Sequence, residues 1–200
     1  MRGVVYSIGD SLIGKDHWSR QPLFHLRAMA GDSVQFKAQG ISGNQTAQVA
    51  ARVERDVIEQ VPKPDVCIVL AGTNDIAWDA TATQISGNLE TVYRKLLDAR
   101  IQPVALTLYP FGGHGFWTPE YEAVRQSVRT WMHHWLPVHL PGVEVVDVED
   151  VLVDPSSPGR PRIRPEYVDK TGMHTNSAGA AAVAQALTER SRALALLLGS

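Results

Sequence analysis

Val4-Val5-Tyr6-Ser7-Ile8-Gly9-Asp10-Ser11-Leu12 is the stretch that decides the predicted fold, because it joins a buried strand to a turn that carries a serine. Its first five residues form a mostly apolar run, which is typical of a strand covered on both faces. In a parallel α/β sheet, ligands bind at the carboxyl ends of the strands. Ser11 is therefore well placed to act as a nucleophile, provided that a base lies nearby.

Four more short apolar runs follow, at residues 34–38, 66–70, 104–108 and 143–147. The run at 34–38 alternates polar and apolar residues, and we expect it at an edge of the sheet. Helical patterns separate the runs, and this alternation implies right-handed crossovers and a parallel sheet. We therefore predict an α/β chain with a three-layer α/β/α, flavodoxin-like fold and a five-stranded parallel sheet.

Several predicted helices have recognisable limits. Valines recur every fourth residue from Val49 to Val61, which indicates one helical face. Thr118 and Pro119 are typical of an N-cap and a first helical position. The last helix follows Asn176 and continues past residue 190. Four prolines and three arginines within residues 154–165 predict a long ordered loop before His174.

Length and composition restrict the function. The 200 residues, 44% of them hydrophobic, fit a single domain over residues 1–200. A net charge of −2 gives no reason to expect nucleic acid or a membrane surface as a partner. Cys67 is the one cysteine, and its apolar neighbours predict a buried, inert thiol. Because the first strand starts almost at Met1, with no room for a signal peptide, we expect a cytoplasmic protein.

Two further strand ends carry groups that could assist a nucleophilic serine. Gly40-Ile41-Ser42-Gly43-Asn44 follows the second run, and Gly72-Thr73-Asn74-Asp75 follows the third. A glycine allows a backbone amide to approach a ligand closely, and an asparagine amide is a good donor. Both could therefore stabilise a developing oxyanion. His174, which opens the last helix, would reach the same edge of the sheet.

These four blocks, in this order, resemble the SGNH hydrolases, also called the GDSL esterase/lipase family. The resemblance implies that Ser11 attacks an ester carbonyl and that His174 is the base. It also implies an oxyanion hole made of the Ser11 and Gly43 backbone amides and the Asn74 side chain. Ile13 interrupts a Gly-x-Ser-x-Gly elbow, so the α/β-hydrolase fold is disfavoured.

The chain departs from the family at the acid. The family places an aspartate three residues before the histidine, where this chain has Thr171. Asp169 is the nearest preceding carboxylate, and we predict that it orients His174 through a lengthened loop. Alternatively, Thr171 or a backbone carbonyl orients the imidazole and the site works as a dyad.

The substrate pocket is predicted from aromatic and basic residues near the strand ends. Trp18, Trp78, Phe111 and His114 follow the first, third and fourth strands, and they could form an acyl or ring pocket, although plain packing is an equal alternative. Arg160, Arg162 and Arg164 could recognise an anionic group, but a solvated loop surface is the favoured interpretation. No histidine or carboxylate spacing indicates a metal site, and no cofactor is required.

The function predicted from these residues is hydrolysis of a small carboxylic ester, of the short-acyl or O-acetyl type, through an acyl-serine intermediate. An acyltransferase would use the same acyl-enzyme. A non-catalytic ligand-binding module is the alternative from another class, and the absence of aspartate at Thr171 favours it. The sequence leaves the oligomeric state open.

Overall fold

Five parallel strands form one sheet in the computed structural model, which describes residues 3–15 and 18–199. Its strands are β1 (Gly3–Gly14), β2 (Val34–Gly40), β3 (Val66–Leu70), β4 (Gln102–Leu106) and β5 (Glu144–Val146). Their order is β2-β1-β3-β4-β5, with every neighbouring pair parallel. The α/β fold with a five-stranded parallel sheet is confirmed, and the alternating strand lies at an edge as predicted.

Nine α-helices connect and follow the strands within the described residues. They are α1 (Pro22–Ala30), α2 (Thr46–Val53), α3 (Thr73–Ala77), α4 (Ala82–Asp98), α5 (Pro119–His134), α6 (Leu136–His139), α7 (Glu149–Leu152), α8 (Ser177–Arg190) and α9 (Arg192–Leu198). Helix α1 packs on α8, which packs on α9, whereas α2 packs on α4, which packs on α5. Right-handed crossovers place these two groups on opposite faces of the sheet.

The centre of the sheet is buried on both faces. All five residues of β3 are buried, and residues 4–8 of β1 are buried as well. Cys67 lies in β3 at 0% exposure, as predicted, and burial raises the pKa of its thiol. A thiol in such surroundings is unreactive because its thiolate is disfavoured. Each fully buried aliphatic side chain contributes about 1.5–3 kcal/mol to this core.

Two helices end earlier than their apolar repeats predict. Helix α2 stops at Val53, a π-turn continues to Ile58, and Val61 is 93% exposed. The residue before a proline disfavours helical geometry, and Pro62 follows Val61 directly. The last helix divides at Ser191, whose hydroxyl accepts a hydrogen bond from the Leu194 amide and so caps α9.

The other predicted limits are correct. Thr118 caps α5, Pro119 is its first residue, and Asn176 caps α8. Residues 154–165 form a loop that is tied back by an antiparallel bridge between Val153 and Ile163. Across the described ranges, no helix combines the length and apolar character that crossing a bilayer requires.

Candidate active site

Ser11 lies inside β1, which continues to Gly14 and does not end at Ile8 as predicted. The stretch from Gly9 to Gly14, where the pairing of β1 with β2 shifts register, is called the serine turn below. The Asp10 carboxylate accepts a hydrogen bond from the Leu12 amide at 2.9 Å, which holds the turn closed. A Cβ at Gly9 would lie 1.8 Å from the Leu70 carbonyl oxygen, so glycine is required there. Gln21 donates to the Ser11 carbonyl at 3.0 Å and supports the turn from outside. Ser11 itself stays partly exposed.

His174 lies against this serine, although 163 residues separate the two in sequence. The Ser11 hydroxyl and His174 Nε2 are 2.9 Å apart, which is hydrogen-bond distance. Asn176 holds the histidine's loop, since its side chain caps α8 and also donates to the carbonyls of Glu166 and Val168. The geometry is that of a hydroxyl nucleophile and a general base in contact.

The other ring nitrogen of His174 contacts a threonine. Nδ1 lies 2.9 Å from the Thr171 hydroxyl, and that hydroxyl lies 2.5 Å from Asp169 Oδ1. The Thr171 amide also donates to Asp169 Oδ1, and Arg20 pairs with Oδ2 at 3.1 Å. The sequence left Asp169 and Thr171 as alternative partners of His174. In the structure Thr171 contacts the imidazole, and Asp169 contacts the Thr171 hydroxyl.

The loop after β2 is anchored to the end of β1. The Ile41 amide donates to the Gly9 carbonyl at 3.0 Å. Arg52, which is 7% exposed, donates to the same carbonyl and to the Asn44 side chain. Gly43 has a φ of +78°, which favours glycine, and it is exposed. These contacts anchor the loop that carries Gly43 at the end of β1.

The loop after β3 meets the other two through Asn74. Its side-chain amide donates to the Asn44 carbonyl at 3.1 Å and lies 3.3 Å from Asp10 Oδ2. Asp75 accepts from both the amide and the hydroxyl of Thr46, which ties α3 to α2. These contacts bring Ser11, Gly43, Asn74 and His174 to the same edge of the sheet.

Two buried carboxyls lie under this edge. Burial, reinforced by nearby Asp75, raises the pKa of Asp10 to about 7 against the opposing effects of the Leu12 amide and Arg52. Burial also raises the pKa of Asp75, although its bonds with Thr46 act in the other direction. The serine turn therefore rests on a carboxyl that titrates near neutral pH.

A cavity of about 580 Å³ opens beside the serine and the histidine. Asp169 and Thr171 also line it, and its further described lining residues are Leu12, Arg20, Gln21, Ser42, Lys170 and Thr175. Leu12 is the one aliphatic or aromatic side chain among these described residues. Most of these side chains are polar, but more of the surface that lines the cavity is apolar than polar, and two exposed cationic side chains, Arg20 and Lys170, contribute to it.

Phe111, His114 and Trp78 are not among the described residues that line this cavity. Phe111 is 1% exposed and packs on Phe116, and His114 also packs on Phe116. Trp78 is 75% exposed and caps the end of α3. The side chain of Trp18 lies outside the described part of the chain, and its predicted role stays a prediction.

The loop arginines have structural partners instead of a place in the cavity. Arg160 donates to the Gly112 carbonyl and lies over the Trp117 ring, and Arg164 donates to the Val151 carbonyl. Arg162 is exposed. Within residues 3–15 and 18–199, no cluster of three or more His, Cys, Asp or Glu residues could hold a metal ion.

Sequence reasoning missed three residues that shape the site. Arg20 and Gln21 belong to no motif, and the available signal was their position shortly after the first strand end. Arg52 resembles an ordinary surface charge on an amphipathic helix. Its burial depends on the Gly9 and Gln39 carbonyls, which the fold brings together from two strands.

Comparison with known families agrees with this geometry. The sequence profile of the GDSL-like Lipase/Acylhydrolase family matches residues 7–182. That segment contains all four blocks that carried the resemblance. A search of curated proteins gives no match.

Solved structures share the fold over nearly the whole chain. A GDSL-like lipase from Bacteroides thetaiotaomicron VPI-5482 is 19% identical, with a TM-score of 0.76 over 94% of this chain and 87% of that one. A member of the lipolytic protein G-D-S-L family from Veillonella parvula DSM 2008 is 17% identical, with a TM-score of 0.70 over 93% and 96%. The acetyl xylan esterase AlAXEase is 17% identical, with a TM-score of 0.70 over 93% and 98%.

Proposed function

The chain belongs to the GDSL-like Lipase/Acylhydrolase family, and we propose that it hydrolyses small carboxylic esters through an acyl-serine intermediate on Ser11. The observation that carries the proposal is the 2.9 Å contact between the Ser11 hydroxyl and His174 Nε2. A serine becomes nucleophilic when a neighbouring base removes its proton, and this pair meets that requirement.

In the acylation step, Ser11 Oγ attacks the ester carbonyl while its proton passes to His174 Nε2. The tetrahedral intermediate then collapses, and the proton on Nε2 moves to the departing alcohol. In the second step, His174 takes a proton from water, and the resulting hydroxide attacks the acyl group. The carboxylic acid leaves, and the proton returns to Ser11.

Charge on the carbonyl oxygen needs donors during both steps. The Ser11 and Gly43 backbone amides and the Asn74 side chain are the donors that we assign to this oxygen. The two amide protons of Asn74 point to the Asn44 carbonyl and to Asp10, so Asn74 must release the longer contact, 3.3 Å to Asp10, to donate to the substrate oxygen. Removing one donor of this kind typically costs about 10²–10³ in kcat.

The lining of the cavity suits a short acyl group. Among the described lining residues, Leu12 is the one aliphatic side chain, so the apolar surface comes mostly from carbon atoms of polar side chains, which suits an acetyl group better than a long alkyl chain. The polar neighbours Gln21, Ser42 and Thr175 suit a hydroxylated or otherwise polar alcohol part. A small-molecule ester, such as an acetylated alcohol, is therefore the proposed substrate.

The test combines kinetics with covalent labelling. Wild type should release p-nitrophenol in a burst from the acetate ester, and more slowly from the octanoate ester. A fluorophosphonate should label Ser11, as located by peptide mass spectrometry, and leave Ser42 unlabelled although both serines line the cavity.

Ser11→Ala should remove both the burst and the label. A burst that persists in Ser11→Ala, or label found on another serine, would contradict the assignment of the nucleophile. An ester product that exceeds the free acid when an acceptor alcohol is added would indicate acyl transfer in place of hydrolysis.

A further inference from the structure

We propose that Thr171 is a positioning residue whose hydroxyl transmits the charge of Asp169 to His174, an inference that rests on the proposed function. The three groups lie in series with Ser11. The contacts are 2.9 Å from Ser11 Oγ to Nε2, 2.9 Å from Nδ1 to the Thr171 hydroxyl, and 2.5 Å from that hydroxyl to Asp169. The position three residues before the histidine thus carries a hydroxyl in place of a carboxylate.

The direction of each hydrogen bond follows from the number of protons. A threonine hydroxyl has one proton, and an ionised carboxylate can only accept. The Thr171 proton therefore points at Asp169, and a lone pair of the same oxygen faces His174 Nδ1. Nδ1 must then carry the ring proton, which leaves Nε2 free to accept the proton of Ser11. Thr171 fixes the tautomer that the base needs.

Asp169 is held so that its charge stays behind the hydroxyl. Its side chain is 9% exposed, its Oδ1 also accepts from the Thr171 amide at 2.8 Å, and its Oδ2 faces Arg20. The amide of His174 lies 3.2 Å from the Thr171 oxygen and fixes the other side of the hydroxyl. The short loop is therefore ordered around one oxygen atom.

The arrangement stabilises an imidazolium without moving a second proton. When His174 accepts the serine proton, the Nδ1 proton remains on nitrogen and the Thr171 proton remains on oxygen. Both hydrogen bonds shorten because the charges at their ends, imidazolium and carboxylate, attract. In a triad, an aspartate bonded directly to the histidine stabilises the imidazolium. Here the carboxylate of Asp169 has the same effect through the Thr171 hydroxyl.

Other charges face the same cavity and act on His174 in the opposite sense. Among the described residues, the charged groups that line it are Arg20, Asp169 and Lys170. Asp10 lies beneath the serine turn and is reached through Asn74. Arg20 and Lys170 disfavour an imidazolium, so the carboxylate of Asp169 is the nearby lining group that favours it.

The first measurement needs no enzymatic activity. The ring of His174 can be titrated by NMR in the Ser11→Ala protein, with its signals assigned by loss in Ser11→Ala/His174→Asn. Adding Asp169→Asn or Thr171→Val should move the titration midpoint to lower pH by roughly one unit. Thr171→Ser keeps the hydroxyl and should leave the midpoint in place.

Kinetics supply the second measurement. Thr171→Val should lower kcat/KM by about 100-fold, at the lower end of what general base catalysis contributes. Asp169→Asn should give a comparable loss and move the acidic limb of the pH profile to lower pH, whereas Thr171→Ser should restore most of the rate. Asp169→Asn/Thr171→Val should be no slower than Thr171→Val, since the charge acts through the hydroxyl.

Two results would overturn the relay. One is an unchanged midpoint and rate in Asp169→Asn. The other is a double variant that is slower than Thr171→Val by the whole Asp169→Asn factor, which would show that Asp169 acts independently of the hydroxyl. If wild type has no Ser11-dependent esterase activity, the proposed function fails, and the NMR titration still decides whether the relay exists.

Discussion

Asp10 is the residue whose chemistry is most altered by its place in the fold. It is 0% exposed, and burial raises the pKa of its carboxyl to about 7. A carboxyl whose pKa is raised on folding binds more protons in the folded state than in the unfolded state. The stability that it contributes is complete below its ordinary pKa of about 4 and is lost as pH rises through 7.

Asp10→Asn should therefore flatten this part of the stability curve. A displacement of roughly three pH units corresponds to about 4 kcal/mol at most, lost by wild type between pH 4 and pH 8. The asparagine oxygen can still accept from the Leu12 amide, so the turn should persist. Urea denaturation of both proteins at pH 5 and pH 8 measures the difference. If both proteins lose the same stability between pH 5 and pH 8, the pKa of Asp10 is not raised by folding.

The sequence alone identified most of the candidate site residues, but it did not predict the hydrogen bonds that connect them. Ser11 and His174 were found because their blocks are specific in order. Thr171 stayed one of several alternatives, since sequence spacing cannot tell which oxygen faces a ring nitrogen. Arg52 was missed because its burial depends on carbonyls from β1 and β2.

At the scale of elements, the start of α8 connects helix stability to the position of the base. Asn176→Ala removes the acceptor for the Gly179 amide and the donors to Glu166 and Val168. We expect a loss of about 1–2 kcal/mol in unfolding free energy. We also expect a lower kcat, because the loop that carries His174 is loosened.

Thr81→Ala is the matched control, since Thr81 caps α4 with the same kind of bond to Gln84. It should lower stability and leave the rate of the folded enzyme unchanged. Urea denaturation and initial rates at 25 °C separate the two effects. If both variants lose the same fraction of kcat, or neither loses any, α8 has no special connection with the base.

Helix α2 gives a second test at this scale, because Arg52 joins it to the ends of β1 and β2. Arg52→Met leaves the Gln39 carbonyl and Asp56 without this partner, and should cost about 3 kcal/mol, as is usual when a buried charge pair is broken. The loop of Gly43 loses its anchor at Asn44. A shift of that loop by about 1 Å could lower kcat up to about 100-fold.

Arg55→Met is the control for Arg52→Met. Arg55 also pairs with Asp56, but its side chain is 72% exposed, and exposed pairs add little to stability. Its removal should change neither the urea midpoint nor the rate. Similar losses in both variants would mean that stability and rate depend on the ion pair with Asp56, and not on the hydrogen bonds from Arg52 to the Gly9 and Gln39 carbonyls.

The elements themselves follow closely from apolar periodicity and capping residues. Four strands lie within two residues of the predicted runs, and α5 and α8 start where the sequence predicts, whereas β1 continues six residues past its predicted end. The break at Ser191 was missed because it depends on a tertiary contact, in which the Ser191 hydroxyl donates to Glu144 beside β5. A continuous apolar repeat carries no sign of such a partner.

At the scale of the whole molecule, two carboxyl groups with oppositely shifted pKa values give the free energy of unfolding opposite dependences on pH. Burial alone would raise the pKa of Asp147, but hydrogen bonds from Arg129, the Glu149 amide and His133 outweigh it and lower the pKa to about 2. The stability from such a group is present above its ordinary pKa and disappears as pH falls through 2. Asp10 acts oppositely, since its contribution disappears as pH rises through 7.

The free energy of unfolding should therefore be greatest in acidic solution, near pH 4 to 5, where the Asp147 contribution is complete and most of the Asp10 contribution remains. The reaction needs a neutral imidazole, so kcat/KM should rise with pH as His174 loses its proton. We expect the pH of greatest stability to lie below the pH of greatest activity. Urea denaturation from pH 3 to pH 9, beside a pH–rate profile, measures both.

Two variants test which carboxyl causes the acidic and the alkaline loss of stability. Asp147→Asn should lower stability at pH 6 by about 2 kcal/mol, and this deficit should shrink as pH falls toward 2, where half of the carboxylate is already protonated in the folded protein. Asp10→Asn should act on the other limb and reduce the stability that is lost between pH 5 and pH 8. A stability that keeps rising to pH 8 in wild type would contradict this division. It would mean that the charge buried beneath the serine turn is tolerated in the folded state, and that Asp10 remains ionised while Ser11 reacts.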